Sequence, residues 1–162
     1  PIILYNVPGR TGCDLLNDTV VKLSQIDNIV AIKDATGDVA RGAALIEAVP
    51  DGFAVFSGDD ATALELMRRG GQGNVSVTAN IAARDMAAMC NLALTGEWEA
   101  AAEIDARLRE LNDLLFVEAN PIPVKWAMAQ RGMIVDGIRL PLTPLSELCR
   151  GDLERALETY FA

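Results

Sequence analysis

The stretch Ile29-Val30-Ala31-Ile32-Lys33-Asp34 is an apolar run that ends in two charged residues. Similar runs occupy Ile2–Tyr5, Phe53–Phe56 and Asn74–Val77, so that the first residues of the four runs are 27, 24 and 21 positions apart. Continuous apolar character is typical of strands covered on both faces, as in a parallel sheet. The spacing fits a strand, a turn and a crossover helix repeated four times. The sequence therefore predicts an α/β fold with four βα units.

Helical patterns lie between the runs and dominate the chain after residue 81. Asp38 is a candidate cap for a helix that ends near Val49, and Asp59 or Asp60 for one that ends near Arg69. Further helices are predicted at 15–23, 82–94, 97–116, 124–131 and 145–161. We divide the chain into a βα region, 1–95, and a C-terminal helical region, 96–162. Periodicity alone leaves half of an eight-stranded barrel and a small open sheet as alternatives.

The composition excludes several classes of function. The 162 residues carry a formal net charge of −9, which disfavours nucleic acids and anionic membrane surfaces as partners. No histidine is present, and the three cysteines lack the spacing of a zinc site. No apolar stretch reaches the roughly 20 residues of a membrane span. We therefore expect a cytoplasmic protein without metal or cofactor. Because the chain begins at Pro1 with an apolar run, we expect it to be a piece of a larger protein.

The residues that follow the strands are the candidates for chemistry, because ligands of parallel α/β folds bind at the carboxyl ends of the strands. Lys33 follows the second run directly. If its side chain faces a barrel interior, burial favours the neutral amine that can attack a carbonyl. The alternative is a strand-end lysine in water beside Asp34. Tyr5 ends the first run, and Arg10 follows it. The alternative for Tyr5 is a ring that only packs against its neighbours, and the alternative for Arg10 is a charge that lies in water.

The ends of the third and fourth runs offer weaker candidates. Gly58 permits close approach of the backbone to a ligand, and Val75 lies in the fourth run. Asp59 and Asp60 resemble a metal pair, but adjacent carboxylates at a strand-to-helix turn more often cap the helix, and no third oxygen ligand has suitable spacing. No phosphate-loop or dinucleotide fingerprint occurs. The sequence predicts neither a metal nor a nucleotide site.

The motifs taken together resemble those of the dihydrodipicolinate synthase family, and the resemblance covers essentially the whole chain. They are Tyr5-Asn6-Val7-Pro8 with Arg10 and Gly12, Lys33-Asp34, Phe56-Ser57-Gly58-Asp59-Asp60, Val75-Ser76-Val77-Thr78-Ala79-Asn80, Asn120-Pro121-Ile122-Pro123-Val124-Lys125 and Leu140-Pro141-Leu142. The resemblance implies a (β/α)8 barrel, of which this chain supplies strands five to eight and a C-terminal helical extension. The remaining half-barrel would be a partner, and the family implies a homo-oligomer, either a dimer or a tetramer.

The resemblance also implies a reaction and the residues that carry it. Pyruvate condenses with aspartate semialdehyde through a Schiff base on Lys33, giving 4-hydroxy-tetrahydrodipicolinate on the route to diaminopimelate and lysine. Tyr5 would relay protons, and Arg10 would hold the carboxylate of the semialdehyde. The backbone near Gly58 and Val75 would border the substrate. N-acetylneuraminate lyase, a relative that lacks this arginine, and a non-catalytic half-barrel are the alternatives.

Overall fold

The computed structural model describes all residues from 1 to 162, and its sheet contains three parallel strands in the order β1-β2-β3. The strands are β1 (Ile2–Asn6), β2 (Ile29–Asp34) and β3 (Ala54–Ser57). In this register Tyr5 of β1 lies opposite Lys33 of β2, and Lys33 lies opposite Phe56 of β3. The first three predicted strands are therefore confirmed, and their carboxyl ends lie at one edge of the sheet.

Eight helices accompany the strands. They are α1 (Pro8–Thr11), α2 (Asn17–Leu23), α3 (Val39–Ala48), α4 (Ala63–Arg68), α5 (Ala79–Thr95), α6 (Trp98–Leu114), α7 (Ile122–Gln130) and α8 (Glu147–Phe161). A short 3-10 turn, Asp60–Thr62, precedes α4. The predicted cap of α3 is confirmed, since the Asp38 carboxylate accepts the Arg41 backbone N–H at 3.0 Å. Asp59 accepts the Thr62 N–H at 3.1 Å in the same way.

The prediction of a fourth strand at 74–77 is wrong, because only a single parallel bridge joins Asn74 to Ser57. The segment begins like a strand: the Ser57 N–H donates to the Gly73 carbonyl, and the Val75 N–H donates to Ser57. The N–H groups of Val77 and Thr78 donate instead to the side chain of Asp60. A carboxylate thus takes the donors that would have continued the ladder, and α5 starts immediately afterwards.

The two faces of the sheet have different surroundings. One face packs against α2, α3 and α4 in a core formed by Val20, Ile32, Leu45, Phe53, Val55 and Leu66. On the other face, Ile3 is 57% exposed and Tyr5 is 50% exposed. The expectation of strands covered on both faces is therefore wrong for β1 in this chain. In a closed barrel that second face lies inside, where strands from across the barrel cover it.

The remaining helices form two further cores. One joins α4, α5 and α6 through residues such as Met86, Met89 and Leu108. The other joins α6, α7 and α8 through Leu111, Leu153 and their neighbours. Apolar residues of α6 thus contribute to both cores. The division between residues 95 and 96 stays a prediction. The helices on its two sides, α5 and α6, pack directly on each other. Every helix of the structure is too short or too polar to cross a membrane.

Candidate active site

Lys33 and Tyr5 form the centre of the candidate site. The Lys33 Nζ lies 4.3 Å from the centroid of the Tyr5 ring, a distance at which a cation is attracted to the face of an aromatic ring. The two residues are direct neighbours across β1 and β2, so the sheet register sets this contact. No carboxylate lies within 4.0 Å of the Lys33 amine. Its half-buried side chain shares the open face of the sheet with Tyr5.

Asp34 is directed away from Lys33 and lies on the covered side of the sheet. Its buried carboxylate accepts the Thr36 N–H at 2.8 Å, and its other oxygen is 3.8 Å from the Arg41 Nε. Successive side chains of a strand point to opposite faces, which separates the two charges. Lys33 and Asp34 therefore point to opposite faces of the sheet and do not form an ion pair.

Gly58 lies directly against the Lys33 side chain. A Cβ atom at this position would come within 2.7 Å of the Lys33 Cε and 2.8 Å of the Ala35 Cβ. Non-bonded carbon atoms do not come this close, so any larger residue would force Lys33 and Ala35 to move. The Gly58 N–H also donates to the Asp34 carbonyl at 2.6 Å, which fixes the loop after β3 next to the end of β2. The absence of a side chain at Gly58 thus creates the space that Lys33 occupies.

Arg10 lies on α1, the single helical turn that follows β1, and its side chain reaches the C-terminal region. The Arg10 Nη2 donates to the Asn120 carbonyl at 2.8 Å, across 110 residues of sequence. This bond uses one of the five N–H donors of the guanidinium. The other donors remain accessible on an exposed side chain, so Arg10 can still grip a carboxylate. The side-chain partner of Arg10 is thus Asn120, whereas that of Lys33 is the Tyr5 ring.

Val75 lies on the same side of the sheet as Lys33. Asn74, which pairs with Ser57, directs its side chain toward Asp60 and Met86 on the covered side. The alternation of an extended chain then places the next residue, Val75, on the open side, where its side chain is 46% exposed. Four of the five predicted site residues, Tyr5, Lys33, Gly58 and Val75, thus lie on or border the open face of the sheet at the ends of its strands.

A polar network beneath the strand ends was not predicted from the sequence. The side-chain amide of Asn6 donates an N–H to the Asp14 carboxylate at 3.0 Å, and the Oδ1 of the same amide accepts the Leu15 N–H at 3.0 Å. Arg41 donates to Asp14 and to the Leu15 carbonyl, each at 2.7 Å. These bonds hold the segment that follows α1, the helical turn that carries Arg10. The hydrogen bond from Arg41, together with that from Asn6, lowers the pKa of the Asp14 carboxyl below its ordinary value.

The arrangement suits nucleophilic chemistry on a carbonyl compound. A primary amine without a carboxylate partner can add to a ketone, and an adjacent phenol can donate and accept the protons that imine formation requires. A guanidinium at the edge can orient an anionic second substrate.

Comparisons with known proteins agree with one another. The Dihydrodipicolinate synthetase family model matches residues 1–160. The 4-hydroxy-tetrahydrodipicolinate synthase of Marinobacter nauticus is 60% identical over 96% of this chain and 53% of its own length. The enzyme of the same name from Pseudomonas aeruginosa is 55% identical over 97% of this chain and 54% of its own length. This chain therefore spans about half the length of the curated relatives it matches.

Solved structures show the same relationship. The chloride-inhibited dihydrodipicolinate synthase from Acinetobacter baumannii, crystallised with pyruvate, is 55% identical and superposes with a TM-score of 0.97. The similarity covers 99% of this chain and 55% of that chain. The synthase from Aquifex aeolicus, at 38% identity, also gives a TM-score of 0.97 over the same shares. Of the alternatives left open by the sequence pattern, these structures select part of a TIM barrel followed by C-terminal helices. The chain belongs to the dihydrodipicolinate synthetase family.

Proposed function

We propose that this chain supplies the imine-forming lysine of a 4-hydroxy-tetrahydrodipicolinate synthase. The contact between Lys33 and Tyr5 is the observation that carries the proposal, because the amine and the phenol that the reaction would use are neighbours on one open face. Family membership and the names of the relatives support the same reaction. The substrates are then pyruvate and aspartate semialdehyde.

The reaction begins when the Lys33 amine attacks the ketone carbon of pyruvate. Loss of the ketone oxygen as water gives an imine, whose cationic nitrogen withdraws electrons from the neighbouring methyl group. The methyl carbon loses a proton and becomes an enamine, which attacks the aldehyde carbon of the second substrate. The amino group of that substrate then adds to the imine carbon and displaces Lys33 as the ring closes. The lysine is regenerated as a free amine.

Tyr5 and Arg10 have separate tasks in this scheme. The Tyr5 hydroxyl transfers protons as water leaves and as the ring closes, a task for a group that both donates and accepts. Arg10 binds the carboxylate of the semialdehyde with the donors that Asn120 does not use. The backbone near Gly58 and Val75 borders the bound pyruvate.

The activity belongs to a complete barrel, and this chain spans about half the length of its relatives. We propose that the other half-barrel completes the site and that the protein works as a dimer or tetramer in the cytoplasm. The rival view, a half-barrel without catalytic function, predicts an assembly of these chains alone that has no activity. Measuring the mass of the native species and assaying it separates these two views.

Substrate preference is tested with the full-length protein. Purified protein receives pyruvate with either aspartate semialdehyde or the sugar aldehyde that N-acetylneuraminate lyase uses, and pyruvate consumption is followed. We expect turnover with the semialdehyde, because Arg10 can bind its carboxylate. Turnover with the sugar aldehyde alone would contradict the proposal and favour the lyase.

A further inference from the structure

Asp60 is a buried carboxylate that the proposed mechanism leaves without a role. It is 2% exposed, and it accepts three hydrogen bonds from the segment 74–78. The Asn74 amide donates to one carboxylate oxygen at 2.7 Å. The Val77 and Thr78 N–H groups donate to the other at 2.9 and 3.0 Å. Burying a carboxylate is costly, and three donors on one short segment offset this cost.

The neighbouring Asp59 has a different set of partners. Its side chain accepts the backbone N–H and the hydroxyl of Thr62, at 3.1 and 2.6 Å. Both bonds cap the helical turn that follows, and neither reaches the segment 74–78. The two adjacent carboxylates therefore separate two effects: Asp59 stabilises a helix start, whereas Asp60 holds a segment that is distant in sequence.

The segment held by Asp60 contains Val75, and the bonds of Asp60 bracket this residue. Asn74 is anchored on one side of it, and Val77 and Thr78 on the other. The Val75 N–H donates to the Ser57 carbonyl at 2.8 Å, immediately before Gly58. Gly58 in turn lies against the Lys33 side chain. The position of Val75 relative to Lys33 thus depends on Asp60.

We propose that Asp60 is a positioning residue that fixes the backbone at Val75 beside Lys33 and so shapes the binding site for pyruvate. This inference rests on the proposed function. It implies a selective effect, because Arg10, which serves the second substrate, is hydrogen-bonded to Asn120, whereas the hydrogen bonds of Asp60 come from Asn74, Val77 and Thr78. Loss of the Asp60 carboxylate should weaken pyruvate binding and leave the KM for the semialdehyde unchanged.

The test uses the full-length protein and four variants, with KM measured for each substrate in turn. Asp60→Ala removes all three acceptors, and we expect the KM for pyruvate to rise roughly tenfold or more, as for a misplaced binding group. Asp60→Asn keeps one oxygen for Val77 and Thr78. The Asn74 Oδ1 is buried without a hydrogen-bond partner. If the Asn74 amide rotates, this oxygen can accept an N–H from the amide introduced at position 60. We therefore expect this variant to restore a KM within about threefold of wild type.

Asp59→Ala is the matched control, since it loses a helix cap without touching the segment 74–78; its pyruvate KM should equal that of the wild type. Asn74→Ala serves if Asp60→Ala does not fold, and its pyruvate KM should rise because one of the anchors is lost. An unchanged pyruvate KM in folded Asp60→Ala or in Asn74→Ala, or an equal rise for both substrates, would overturn the role of Asp60. Failure of wild-type protein to use pyruvate would instead contradict the proposed function.

Discussion

Tyr5 and Lys33 face each other across two parallel strands, with the amine 4.3 Å from the centre of the phenol ring. This pair depends on the register of β1 and β2, which hydrogen bonds of the backbone maintain. A ring that contacts the amine can orient it, whereas in the proposed reaction the hydroxyl is the group that transfers protons. The two parts of the Tyr5 side chain can therefore be tested separately.

Replacing Tyr5 with Phe should keep the ring over Lys33 but remove the proton-transfer group. We expect kcat of the full-length protein to fall roughly a hundredfold or more, the usual size of a general acid–base contribution, with little change in thermal stability. Tyr160→Phe is the matched control, because Tyr160 is the other tyrosine of the chain. It lies on α8, where its ring contacts that of Phe161. Equal kcat values for Tyr5→Phe and wild type would exclude Tyr5 from proton transfer.

Replacing Gly58 with Ala should displace the Lys33 side chain, since the new Cβ would lie 2.7 Å from its Cε. We expect the rate of imine formation with pyruvate to fall roughly tenfold or more, measured by rapid trapping with borohydride. Gly151→Ala provides the control, because nothing lies within 4 Å of a Cβ there and α8 gains a better helix former. A normal trapping rate in Gly58→Ala would show that Lys33 tolerates the displacement.

Replacing Arg10 with Lys should keep the positive charge but lose the planar fork that binds a carboxylate at two points. The KM for the semialdehyde should rise roughly tenfold. Imine formation with pyruvate should stay unchanged, because the side chain of Arg10 is bonded to Asn120 and that of Lys33 lies against Tyr5. Steady-state kinetics with each substrate varied in turn measures both effects. Arg139→Lys is a suitable control on an exposed loop. A change in the pyruvate KM alone would contradict the proposed role of Arg10 in binding the semialdehyde.

The contact between Asp14 and Arg41 should make stability depend on acid pH. Hydrogen bonds from Arg41 and Asn6 hold the pKa of Asp14 below its ordinary value of 3.8, so the carboxylate stabilises the folded state above that pH. This contribution is lost as the pH falls through the lower, folded-state pKa. The difference in melting temperature between wild type and Asp14→Asn should therefore shrink below about pH 4. A difference that stays constant from pH 7 to pH 3 would exclude this linkage.

The sequence predicted those parts of the fold and site that depend on local pattern. The apolar runs predicted β1, β2 and β3, and the placement of Lys33 and Tyr5 at strand ends followed from them. The helix caps at Asp38 and Asp59 were predictable for the same reason, since a cap acts within three residues.

Contacts between distant residues could not be predicted in this way. The run at 74–77 has the composition of a strand, but Asp60 accepts the side-chain amide of Asn74 and, across 17 residues, the backbone N–H of Val77. Arg10 reaches Asn120 across 110 residues, and Arg41 reaches Asp14 across 27. A single sequence contains no record of such pairs. The apolar pattern of β1 also gave no sign that its second face is open in this chain.

The most direct test of the central claim, that Lys33 forms the imine, is reductive trapping of the full-length protein with pyruvate and borohydride. Peptide mapping by mass spectrometry then locates the adduct. We predict one reduced pyruvate adduct per chain, on Lys33, and none in Lys33→Ala, whereas Lys125→Ala keeps the adduct. An adduct on another lysine, or no adduct in the active full-length protein, would contradict the claim.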